Sequence, residues 1–463
     1  MPDSNPSDAE KQKSLTEREA QIERMMQQIE QKLREGLVGD AGTLEDIESE
    51  SQKIGEIVKE IIEQDRLESK GTGFVGSRAL CSCGMIKRYR GAFERRIVTR
   101  TGDRRILRAY YYCQTCRTGD YPLDADLGVT AGAFSLAVWS LAARFSSYVP
   151  YAVATRELAE VCGIHLSQSS LQRISRQSGQ QIQKDWEAAD QILRRCDDRG
   201  EDMSDHPQEI LRLRGGTVLG PISQLQSSMD GVYLFVDGEW KEIKLAVSFS
   251  KNPDGMTANY YASKMESRDF GPRAWLLHQI SGGLRCQQSA VIGDGAAWIW
   301  KEYGKYLPRA TQILDFYHVS EYLAKVAHLR FGEKTASQKQ KGRAWVLRQE
   351  RHLKANDVAA VVRSLRDWRP KSLEGRELQR TQLAYYAEHR KRMRYADYKH
   401  DGWHIGSGMV ESGNNHVLQN RMKRPGMRWG EVGAQSMIHL RATVCSDDRP
   451  TYRDIAYRAM TVA

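Results

Sequence analysis

Ala290-Val-Ile-Gly-Asp-Gly-Ala-Ala-Trp-Ile-Trp300 is a short apolar run, an Asp-Gly break and then a segment of helical character. Asp294 therefore reads as a carboxylate closing a buried strand. Upstream, Ser227-Ser-Met-Asp-Gly-Val-Tyr-Leu-Phe-Val236 holds Asp230 in a comparable setting. Downstream, Gly406-Ser-Gly-Met-Val-Glu-Ser-Gly-Asn-Asn415 puts Glu411 after a Gly/Ser break, in a segment able to run as a helix through Met422. The spacings are 294 − 230 = 64 and 411 − 294 = 117, so only a fold brings the three acids together.

Around these acids, the patterning predicts strands at 217–236 and 240–250, joined by a turn at Asp237-Gly238, and a third strand at 258–265. A helix follows at 271–280, then a strand at 289–293, the helix after Asp294, a strand at 311–315 and a helix at 319–330. Three antiparallel strands leading into alternating helices and parallel strands is the order of a ribonuclease H-like fold. There the first carboxylate sits on the first strand, the second just after the fourth, and a later helix supplies the third. Asp230, Asp294 and Glu411 match these places if the helix-rich, charged stretch 331–405 is an insertion. Trp345, Leu347, Val358, Val361, Leu365 and Trp368 are its candidate core residues.

Carboxylates suit such a site because two hard Mg²⁺ ions, roughly 3.5–4 Å apart, need oxygen ligands while the attacking and leaving oxygens are clamped. Asp237 competes with Asp230 as the first ligand, but Asp237-Gly238 has turn chemistry, so Asp230 is preferred. Ile313-Leu-Asp-Phe-Tyr-His318 adds Asp315 and His318 where a strand enters a helix, either facing the same cleft or serving as a helix cap and a surface histidine.

Lys and Arg number 69 against 59 Asp and Glu, a formal charge of +10, which favours a polyanionic partner, with nucleic acid the default. The longest apolar stretch, 134–143, is well short of the roughly 18 residues of a membrane span. The first residues lack the character of a signal peptide, so a cytoplasmic protein is expected. Residues 1–70 read as a helical arm, with Ser14 and Glu17 spaced as a capping box. Leu15, Ile22 and Ile29, with Met26 and Leu33, follow heptad spacing. That arm either packs on its own chain or pairs with a second copy.

Cys81, Cys83, Cys113 and Cys116 flank a hairpin expected to turn at Thr101-Gly-Asp103, within a domain at 71–126. Four thiolates so arranged fit one structural Zn²⁺, with buried thiols the alternative. Cys162, Cys196, Cys286 and Cys445 are expected to be buried. Between the cysteine pairs, Arg88, Arg90, Arg95, Arg96 and Arg105 belong to a basic run interleaved with tyrosines, suited to phosphates and bases. The helical region 127–198 contains a helix, a Gly turn and a second helix over 155–173, the form of a helix-turn-helix that would present Ser167, Ser170 and Arg173 to a major groove, or of ordinary helix packing. Arg421, Lys423, Arg424 and Arg428 form a further basic group directly after Glu411.

Taken with Arg421-Met-Lys-Arg-Pro-Gly-Met-Arg-Trp429, the segments 292–300, 313–318 and 406–412 resemble those of DDE-class transposases of bacterial insertion sequences. The likeness is nearest to the ISKra-type group and more distant to Mutator-like enzymes, and it runs over nearly the whole chain. It implies Mg²⁺-dependent cleavage, Mn²⁺ serving as a substitute, at transposon ends, followed by strand transfer of the 3′-hydroxyl into target DNA. Asp230, Asp294 and Glu411 would be the catalytic magnesium ligands, with Asp315 and His318 auxiliary. A homodimer or larger assembly on double-stranded DNA, near the bacterial nucleoid, would be the working form. The expected architecture is multidomain α+β: arm 1–70, zinc ribbon 71–126, helical domain 127–198, catalytic core 199–330, insertion 331–405 and core completion 406–463. A nuclease that cuts without joining and a zinc-dependent DNA-binding regulator are the rival readings.

Overall fold

The computed structural model describes residues 8–36, 42–129, 132–199, 210, 212–216, 222–252 and 255–461. The protein is mixed α and β, and its chain divides into two compact units, each discontinuous in sequence. One comprises 1–142, 152–168 and 456–463; the other 143–151 and 169–455. The stretch 127–198, expected as one domain, is thus shared between them. Among the described residues no helix is long and apolar enough to cross a membrane.

In the first unit, helices Asp8–Gly36 and Leu44–Ser69 form the expected arm. Ser14 stands inside the first helix and not at its start; the capping box belongs to the second helix. There Asp46 N donates to Thr43 Oγ1 at 3.2 Å, and Thr43 N to the Asp46 carboxylate at 3.0 Å. The second helix buries no side chain, and Ile22, Met26, Ile47 and Ile62 are exposed.

A four-stranded antiparallel sheet follows: β1 (Arg78–Leu80), β2 (Ile86–Thr99), β3 (Gly102–Tyr112) and β4 (Gly119–Asp120), in that order. Because Thr99 pairs with Gly102, the tight loop is Arg100-Thr101, earlier than the expected turn. Ile97, Ile106, Leu123 and Val129 make a small core. Beside it, Arg95 and Arg108 converge on Asp124 at 2.8 and 2.5 Å. Arg104 is buried against Glu63, and Lys87 against Asp120.

The second unit is built on a five-stranded sheet of β5 (Ile222–Val236), β6 (Glu239–Asn252), β7 (Gly255–Ser263), β8 (Cys286–Gly293) and β9 (Thr311–Leu314). Its spatial order is β7-β6-β5-β8-β9. β5 to β7 form an antiparallel meander, while β8 and β9 join parallel through helices. Unbroken apolar runs such as Val291-Ile292 and Ile313-Leu314 suit strands covered on both faces, and these four side chains are fully buried. Helices Ala336–Lys354, Val358–Asp367 and Leu373–His389 occupy the expected insertion. Trp345, Val358, Val361, Leu365 and Trp368 are buried in the same apolar cluster as the sheet, whereas Leu347 is 49% exposed and is not a core residue.

Candidate active site

Strand register brings the acids together. β5 and β8 pair in parallel up to Ser228 opposite Ile292. Two residues further on each strand, on the same face by the period of two, are Asp230 and Asp294. β8 and β9 pair up to Gly293 opposite Leu314, and Asp315 N donates to Gly293 O at 2.8 Å, which sets Asp315 in line with Asp294. Three carboxylates therefore line up across adjacent parallel strands, at the carboxyl side where open α/β sheets bind ligands.

Glu411 arrives from the chain's last third. Phe316 N donates to Ile405 O at 2.8 Å, laying 405–407 alongside the end of β9, and helix Gly408–Gly413 starts there. Ser407 is the residue before that helix, yet its side chain does not cap it. Its hydroxyl instead lies 2.5 Å from the Asp315 carboxylate and 2.8 Å from that of Glu411. The hydroxyl thus serves the two carboxylates in place of the helix end. On the same helical face, Asn414 Nδ2 donates to Asp230 at 2.7 Å. The helix then widens into a π-turn, Asn414–Gln419. Ser407, Glu411 and Asn414 are a stripe at i, i+4 and i+7 that joins the helix to Asp315 and Asp230.

Burial pushes the Asp230 carboxyl up to about 6; the Gly231 N–H opposes this, and the charges of Asp294 and Glu411 add to it. Asp315 is likewise raised, chiefly by burial, against its hydrogen bond from Ser407. Among the described residues no Lys or Arg forms an ion pair with any of the four acids. Asp237 does not compete with Asp230. Its φ of 49° and Gly238's of 81° make a tight hairpin turn, and its side chain is exposed.

Asp315 also caps the following helix, accepting from Tyr317 N at 2.8 Å, which is the helix-cap reading; its side chain is buried, with Ser407 between it and Glu411. His318 does not reach the acids. Its Nε2 lies 3.2 Å from Tyr322 Oη, the Tyr322 ring packs on Tyr385 at 5.2 Å, and Tyr385 Oη donates to Asp294 O at 3.0 Å. Tyr385, from the insertion, thereby fixes the backbone that aims Asp294. Sequence reading missed Tyr385, Ser407 and Asn414; for the last two, helical spacing from Glu411 was the available signal.

A second centre lies in the first unit. Cys81 and Cys116 Sγ are 3.5 Å apart, Cys83 and Cys113 Sγ 3.7 Å, and all four lie within 4.8 Å of one another. A tetrahedron with Zn–S bonds of about 2.3 Å separates its sulfurs by roughly 3.8 Å, so the cluster fits such an ion. The left-handed residues Gly84 (φ 83°) and Arg117 (φ 57°) follow the second cysteine of each pair and fold each pair into a knuckle. Thr118, beside Cys116, draws its thiol down to about 6. Among the described residues this is the one His, Cys, Asp or Glu group that gathers so closely; the carboxylates of the acidic site stand further apart. Cys162, Cys286 and Cys445, expected to be buried, are partly exposed, and the side chain of Cys196 lies outside the described residues.

The basic groups separate by burial. Arg88, Arg90, Arg96 and Arg105 are exposed, Arg96 beside Asp103 and Arg105 3.6 Å from Glu94. Arg95, expected on the binding face, is turned inward to Asp124 and Val129 O. Arg421 is a clearer correction. It is 1% exposed, donates to Ser146 O at 2.8 Å, stacks 5.1 Å from both Tyr151 and Trp429, and is lowered to about 10 by burial. Lys423, Arg424 and Arg428 are exposed. In the helix-turn-helix stretch, helices Tyr151–Cys162 and Gln168–Arg199 flank a turn with Gly163 at φ 64°. Leu171 and Ile174 are buried, Ser170 is half-buried, and Ser167 and Arg173 are exposed. No model of a known protein family matches the chain, and no curated protein matches its sequence.

Proposed function

We propose that the protein is a DNA transposase with a ribonuclease H-like core, similar to the ISKra-type group, which cuts at element ends and joins the freed 3′-hydroxyl to target DNA. The convergence of Asp230, Asp294 and Glu411 from β5, the end of β8 and a distant helix carries this reading. The strand order β7-β6-β5-β8-β9 supports the fold assignment. Hard oxygen donors without an ion-pair partner among the described residues fit divalent cations, and Asp230, Asp294 and Glu411, with Asp315 adjacent, would hold two Mg²⁺ ions. When bound, Mg²⁺ supplies Lewis-acid activation of water or a 3′-hydroxyl and stabilises charge on phosphate oxygens. Ser407 and Asn414 hold the carboxylates in place, and Tyr385 fixes the Asp294 backbone. The four cysteines hold one structural Zn²⁺. Arg88, Arg90, Arg96, Arg105 and Ser167 on the first unit, and Ser170, Arg173, Lys423, Arg424 and Arg428 on the second, are each unit's own contacts for double-stranded DNA, and the arm pairs two copies in the bacterial cytoplasm.

The test incubates full-length protein and Mg²⁺ with labelled ends of its own element and a target plasmid. Joined product supports the transposase. Cut ends alone indicate a nuclease of the same fold, and bound, unchanged DNA indicates a regulator.

A further inference from the structure

The β5–β6 hairpin runs past the rest of its sheet. β5 pairs with β8 only as far as Ser228, and β6 with β7 only from Lys244 onward, so 231–243 form a two-stranded ribbon beyond Asp230. Just past its Asp237-Gly238 turn, Trp240 is 59% exposed, and Tyr233 on the facing strand is 54% exposed. Phe235, the cross-strand partner of Trp240, meets it edge-on at 5.6 Å. Lys423 Nζ lies 5.4 Å from the indole centroid. Asp237 N donates to Trp429 O at 2.9 Å, which fastens the ribbon tip to the segment that carries the exposed Lys423, Arg424 and Arg428. An indole left in water with a lysine ammonium beside it is the composition that takes a flat π ligand bearing phosphates.

We propose that Trp240, with Tyr233 beside it and Lys423 against its ring, is a stacking platform for unpaired nucleotides of a DNA strand that passes the acidic site. The inference rests on the DNA-cutting reading of that site and adds where the strand goes. Phe235 is five residues beyond Asp230, so the platform lies roughly 17 Å along the ribbon. Strand alternation turns Tyr233, Phe235 and Trp240 to the face opposite Asp230. A flexible single strand can round the edge of a two-stranded ribbon to reach both faces, whereas a stiff duplex stays on one, and this selects an unpaired strand as occupant.

Full-length protein without Mg²⁺ is titrated with a blunt duplex and with the same duplex bearing a single-stranded tail that contains 2-aminopurine. The tail is expected to tighten binding about tenfold and to quench the 2-aminopurine, the effect of one base stacked on an aromatic ring. Trp240→Ala should abolish the tenfold preference and the quenching, while Trp240→Phe, which keeps a ring, retains most of both. Lys423→Gln should weaken both DNAs alike and lower the salt slope by about one. The platform is overturned if Trp240→Ala keeps the preference for the tail, or weakens blunt and tailed DNA equally. Wild-type protein that binds neither DNA sinks the DNA-cutting reading itself, and the platform with it.

Discussion

Asp230 carries the least comfortable charge in the site, since burial and two neighbouring carboxylates oppose its ionisation. Its folded value, about 6, exceeds the ordinary 3.8, so it contributes stability that is fully present below pH 3.8 and is lost as pH rises through 6. Asp230→Asn, measured without divalent metal, should therefore raise the melting temperature at pH 7–8 and leave it unchanged near pH 3.5; equal shifts at both pH values would contradict the charge origin. For chemistry, Asp294→Asn and Glu411→Gln should lower strand cleavage at least about 1000-fold, roughly 4 kcal/mol, with end binding retained. Gel assays of both steps would expose a wrong assignment as cleavage that survives. Ser407→Ala should weaken Mn²⁺ binding by about tenfold, read by the spin resonance of free Mn²⁺, with Ser407→Thr close to wild type. At this scale the sequence was informative about the acids, because an Asp closing an apolar run leaves a local trace. Ser407 and Asn414 left little trace, for their importance lies in partners 92 and 184 residues away.

Secondary elements were legible wherever local chemistry set them. The Asp237-Gly238 turn and the apolar runs of β8 and β9 are where periodicity puts them, whereas the β2–β3 turn moved to Arg100-Thr101 because pairing runs on through Asp103 opposite Val98. Arg421 misled because charge alone says nothing of burial; two aromatic faces and a backbone carbonyl take its guanidinium inside. Close helix packing was equally silent. A Cβ on Gly179, in helix Gln168–Arg199, would come 2.0 Å from Ser436 O in helix Glu431–Cys445. Gly179→Ala should cost about 1–3 kcal/mol in urea unfolding, despite the better helix propensity of Ala.

At the scale of the whole molecule, sequence order suggested consecutive domains, whereas the folded chain has two units that interleave in sequence. Local patterns carry no record of which distant segments return. The small core of Ile97, Ile106, Leu123 and Val129 under the β1–β4 sheet leaves that sheet dependent on its cysteine cluster. Elemental analysis should find about one zinc per chain, and Cys113→Ser should lose both the metal and the order of the sheet, seen as lost protection from hydrogen exchange at β2 and β3. Folded wild-type protein without zinc would refute the structural role.

Glu411 comes 411 − 294 = 117 residues after Asp294, yet the two act on one carboxylate, Asp230. At about 5–20 residues per second of synthesis, the ribosome needs roughly 6–23 s to supply the last acid after the second. Throughout that interval the nascent chain already carries the cysteine cluster and the basic hairpin but lacks a complete set of carboxylates. If the proposed function holds, contact with nucleic acid can begin during translation, while cleavage must wait until the final segment has emerged and folded back.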